Sequence, residues 1–125
     1  MSWNAAVDFR KGCPQKAQAE PCQDYGKVLK LKSDVIASAV ADGDCKARFS
    51  HIGARTAVRS ACNTIRANMR SFQSVACNPN THATTSTFEA LLDSVQESLK
   101  SAAADHLAPI DDLATTLIVF IASPA

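Results

Sequence analysis

Between Lys27 and Ala41 the apolar residues Val28, Leu31, Val35, Ile36, Ala39 and Val40 recur three and four positions apart, with Lys27, Lys30 and Asp34 falling between them. That spacing predicts an amphipathic helix. Asp42-Gly43-Asp44 then reads as a tight helix–helix turn, because glycine can adopt the left-handed conformation that closes one helix and the Asp44 carboxylate can cap the next. A second helix is expected from about Cys45 to about Ala76, with Ala54, Val58, Ala61, Ile65, Met69, Phe72 and Ala76 as its apolar face. Gly53 is its weak point, since glycine inside a helix costs about 1 kcal/mol relative to alanine, and a kink near residues 50–53 follows from it.

Cys77-Asn78-Pro79-Asn80 stops that helix, because proline disfavours helical geometry at the residue before it. Ser86 with Glu89 three residues later has the form of a capping box and opens a third helix, whose apolar face runs Phe88, Leu91, Leu92, Val95, Leu99, Ala102, Ala103 and Leu107. Pro109 with Asp111 and Asp112 starts a last helix over residues 110–122. The β-branched residues Thr115, Thr116, Ile118, Val119 and Ile121 suit a strand equally well, but no second strand is expected to pair with it. Residues 1–26 show no sustained period; they carry Trp3, Phe9 and Tyr25 and read as an irregular N-terminal arm. The expected fold is therefore all-α: an antiparallel helical bundle of about four helices over residues 27–125, preceded by that arm.

Composition supports folding. At 125 residues, 46% hydrophobic and 20% charged, the chain suits one domain with one core. The five cysteines, Cys13, Cys22, Cys45, Cys62 and Cys77, form no Cys-x-x-Cys pair, and the first residues lack the apolar run of a secretory signal. A reduced protein, intracellular or within a particle, is expected, with Cys13 and Cys22 as the pair that could close in an oxidising compartment. Leu113–Ala122 is about half the roughly 20 residues that a membrane-spanning helix needs, so no membrane partner is expected.

Sites of chemistry are not evident. Cys45 and His51, and Cys77 and His82, are residue types that zinc accepts, but on a continuous helix the two cysteines lie about 48 Å apart and cannot share an ion. No nucleophile elbow, phosphate loop or His-Glu-x-x-His pattern occurs, the predicted core faces hold no histidine or carboxylate, and His51, His82 and His106 lack a haem-attachment pattern. No metal, no cofactor and no enzyme activity are expected on these grounds.

Charge changes the picture more. Net charge is +1, but residues 1–44, 45–88 and 89–125 carry 0, +6 and −5. The stretch from Cys45 to Phe88 has no acid, and Arg48, Arg55, Arg59, Arg66 and Arg70 step 7, 4, 7 and 4 residues apart, which on one helix confines them to a stripe about 60° wide. Glu89, Asp93 and Glu97 form an acidic line on the next helix. The arginines could be solvated or matched to those acids within the chain. They could instead track nucleic-acid phosphates, RNA or DNA, which the guanidinium fork suits. Near-neutral net charge argues against a monomer that binds nucleic acid alone. The expectation is accordingly a non-enzymatic self-assembling subunit, of coat or nucleoprotein type, in which Trp3, Phe9, Glu89, Asp93 and Glu97 meet a neighbouring copy. The alternative is a helical accessory subunit of a larger protein complex. A regulatory DNA-binding domain fits less well, because the second helix is too long for a recognition helix.

Overall fold

A computed structural model describes residues 3–11 and 21–124. The chain is mixed α/β, with a three-stranded antiparallel sheet and three helices, not a four-helix bundle. The sheet consists of β1 (Asp24–Lys30), β2 (Ile36–Asp42) and β3 (Ile118–Ala122) in that spatial order. The helices are α1 (Ser50–Ala67), α2 (Met69–Cys77) and α3 (Thr81–Asp105).

The largest correction falls on residues 27–41, expected as a helix and found as a hairpin. The buried residues Leu29, Leu31, Val35, Ala37, Ala39 and Ala41 have a period of two, and they were obscured because Val28, Ile36 and Val40 make the opposite face apolar as well. A stretch that is apolar on both faces satisfies the helical and the strand template together. The same pairing explains residues 110–122. They form a short 3-10 turn, Ile110–Leu113, and then β3, since β2 is the partner strand that β3 needs.

Packing follows from small side chains. Ala37, Ala39 and Ala41 floor the sheet, and Ala54, Ala57, Val58, Ala61, Cys62 and Ile65 of α1 lie on them with no measurable exposure at most positions. Two alanine-rich surfaces let helix and sheet approach closely. Gly53 sits in the first turns of the continuous helix α1, where the Leu113 backbone occupies the place a Cβ would take. Along its other side α1 packs on α3 through Ser60, whose hydroxyl meets Ser98 Oγ at 2.8 Å. Phe72 of α2 is buried edge-on against Phe88 of α3, ring centroids 5.8 Å apart.

Helix boundaries also differ from expectation. The long second helix begins at Ser50, not Cys45, and divides at Asn68, whose φ of −123° and ψ of 39° interrupt it. The cap of α3 is Asn80, whose side chain accepts from the His82 and Ala83 amides, so the Ser86/Glu89 box lies inside the helix. The opposite end of α3 closes on Leu107, with φ of 51°, as the Ala108 amide donates back to Ala103. Arm residues 3–11 lie across this chain's own sheet: the Phe9 ring packs against Tyr25 at 5.1 Å, and Val7 covers Gly26. Cys13, and with it the Cys13–Cys22 pairing, falls outside the described residues. Among the described residues no helix is long and apolar enough to cross a membrane.

Candidate functional site

Hairpin register puts Asp24 directly opposite Asp42. Like charges facing each other across a ladder are destabilising, so this position breaks the ordinary rule for cross-strand pairs. Burial pushes the Asp24 carboxyl above its usual range, and a hydrogen bond and repulsion from Asp42 push it further. Among the described residues no lysine or arginine makes an ion pair with either acid.

Three segments hold the pair. The Asp42 carbonyl accepts from the Thr116 amide at 2.9 Å and from Thr115 Oγ1 at 3.1 Å, while the Gly43 amide donates to the Gln23 carbonyl at 3.0 Å. The Asp44 amide donates to the Ala114 carbonyl at 2.9 Å, and the Asp44 carboxylate turns away to accept from the Lys46 amide. Gly43 is required for this closeness, since a Cβ there would lie 2.7 Å from the Gln23 carbonyl oxygen and 2.9 Å from Ser50. Beside it, the Ser50 hydroxyl is buried with no hydrogen-bond partner. The neighbouring His51 imidazole is held below its ordinary pKa by burial first, then by Arg55 and His106.

These acids were not among the expected site residues. Asp42-Gly43 was read as a helix–helix turn, and Asp24 belonged to the arm. One signal could have found them: they lie equally far from Ser33 along the chain, so any hairpin centred there sets them opposite each other.

A match to protein phosphatase 2C covers residues 12–125. This chain belongs to the protein phosphatase 2C family. No curated protein and no solved structure matches it. Membership overturns the coat or nucleoprotein reading, its accessory-subunit alternative and the expectation that the chain is not an enzyme domain.

Within this phosphatase 2C domain Arg55, Arg59 and Arg66 share one face of α1, while Arg48 and Arg70 lie outside that helix. Arg48 precedes α1 and lies over the Phe49 ring at 4.8 Å; Arg55 and Arg59 lie over Tyr25 at 5.6 and 5.8 Å; Arg66 ends α1, and Arg70 belongs to α2. The break at Asn68 sets Arg70 on a separate helix. Glu89, Asp93 and Glu97 are exposed on α3, where Glu97 pairs with Lys100 at 3.2 Å and none of the three pairs with an arginine. Trp3 and Phe9 belong to the arm segment over the sheet. Among the described residues no group of three or more histidines, cysteines or carboxylates could hold a metal.

Proposed function

We propose that this chain contributes to hydrolysis of phosphate monoesters on proteins, with Asp24 and Asp42 holding a hard divalent cation. The observation that carries the reading is the opposed carboxylate pair, held by backbone hydrogen bonds and, among the described residues, without an ion-pair partner. The donor set fits such an ion. Mg2+ or Mn2+ takes oxygen ligands, and Mg2+ is commonly held by one or two carboxylates while waters and substrate phosphate oxygens complete the shell. Two carboxylates are what this site offers, and the orphaned Ser50 hydroxyl nearby is a polar group that an ordered water would satisfy. A bound cation supplies charge stabilisation at phosphoryl oxygens and lowers the pKa of a bound water.

The chain's own residues set the geometry. Gly43 lets the β2 end close against Gln23 and Ser50, and Thr115 and Thr116 lock the Asp42 backbone so that its carboxylate stays opposite Asp24. A cation held by Asp24 and Asp42 would offset the mutual repulsion that, after burial and their hydrogen bond, raises the Asp24 carboxyl.

Hydrolysis of p-nitrophenyl phosphate and of a phosphopeptide, with Mg2+ or Mn2+ and after chelation, tests this together with thermal unfolding. Either cation at about 100 times its Kd should stabilise the fold by about 2.7 kcal/mol. D24N and D42N should lose both the stabilisation and the hydrolysis. Absence of any cation-dependent shift, with hydrolysis indifferent to chelation, would refute the reading.

A further inference from the structure

At the other end of the hairpin from the acids, a surface cavity of about 370 Å³ is lined by Lys32, Arg66, Asn68, Arg70 and Gln73. Three cations share it. Among the described residues none of them makes an ion pair, and Asp34, two positions from Lys32, does not pair with any of them. The chain between Cys45 and Phe88, which supplies Arg66 and Arg70, has no acid at all.

The cavity lies between a helix break and the hairpin turn. The interruption at Asn68 divides α1 from α2 and separates Arg66 from Arg70 across the gap, with neither proline nor glycine to cause it. Opposite them, Ser33 and Asp34 both hold φ of 58°, a region costly for residues with a Cβ. The Gln73 side-chain amide fixes that turn by donating to the Lys32 carbonyl at 2.7 Å. Positive φ at both central residues is the type I′ geometry that tight hairpin turns favour, and it fixes where Lys32 stands beside the cavity.

We infer that this cavity binds a phosphate monoester dianion carried on a peptide. Two guanidinium forks and one ammonium suit the tetrahedral, multiply charged oxygens of a phosphate better than a lone carboxylate. Lys32 lies eight residues along the hairpin from Asp24, about 26 Å in extended chain. One phosphate therefore cannot reach both ends, and the cavity takes a second phosphorylated residue of the same partner. The inference rests on the phosphatase reading for the identity of the partner only, since occupancy of the cavity requires no turnover.

Binding of a fluorescein-labelled phosphoserine peptide, measured by anisotropy in EDTA so that it is not hydrolysed, tests the site. R66Q/R70Q should weaken binding about tenfold or more. K32Q should weaken it less, and the unphosphorylated peptide should not bind. R48Q, outside the cavity, and D42N, at the acid pair, should bind as the parent does. Amide resonances of Asn68, Met69 and Gln73 should shift on titration. Equal affinity in R66Q/R70Q, or shifts confined to other residues, would overturn the inference. So would a site that takes inorganic phosphate but not the peptide. An equal loss of affinity in R48Q would mean diffuse attraction to basic surface and would also overturn the inference, whereas failure of D42N to affect hydrolysis bears only on the proposed activity.

Discussion

At one end of the β1–β2 hairpin two carboxylates face each other across the ladder, and hydrogen bonds from three segments pin a backbone free of positive φ. At the other end three cations surround a cavity, and Ser33 and Asp34 are both left-handed. Each end concentrates one sign of charge that, among the described residues, makes no ion pair. The near-zero net charge of the chain therefore hides two local concentrations of charge, which the readings proposed above assign to a cation at one end and an anion at the other. Such uncompensated groups are what a fold retains at sites where binding outweighs stability.

The difference between the ends can be broken most strongly at Gly43. Gly43→Ala forces a Cβ against the Gln23 carbonyl and Ser50, and overpacking there should destabilise the fold by about 3 kcal/mol in urea unfolding. At the opposite end the sign reverses. Ser33 is exposed, and Ser33→Gly relieves its left-handed strain, so the same measurement should show stabilisation of about 0.5–1 kcal/mol. A destabilised Ser33→Gly protein would mean that the turn is not strained.

The smallest effect is a slope. The Asp24 carboxyl is raised in the folded state, so as pH rises above about 4 the unfolded chain releases its proton first. Folded protein then binds more protons than unfolded, and metal-free stability falls with rising pH until the raised pKa is passed. D42N removes the repulsion and the shared hydrogen bond and should flatten that slope. An unchanged slope would assign the raised pKa to burial alone.

How much of this was legible in the sequence depended on which residues carried a single period. In α3, Leu91, Val95, Leu99 and Ala103 recur every four positions with polar residues between, and a helix there follows directly. The apolar face of α1 was likewise evident in Ala54, Val58, Ala61 and Ile65. The hairpin was not, because alanine is compatible with either element and both faces of β2 are apolar. Missing the hairpin concealed the candidate site, since Asp24 and Asp42 become neighbours only through strand register. The arginines were visible as charge, but their grouping depends on a helix break at Asn68 that no proline or glycine announces.

β3 has a consequence of a different kind. Its ladder with β2 joins residues about 80 positions apart, whereas β1 and β2 meet through a five-residue connection. Closing so large a loop is entropically late, and contacts of this range slow folding. At a synthesis rate of about 5–20 residues per second the free edge of β2 waits roughly 4–16 seconds for its partner. During that interval Ile36, Ala37, Ser38, Ala39 and Val40 form an unpaired, uncharged strand edge, open to pairing with another nascent chain. The synthesis of β3, about 80 residues after β2, thus sets how long that edge stays open to aggregation.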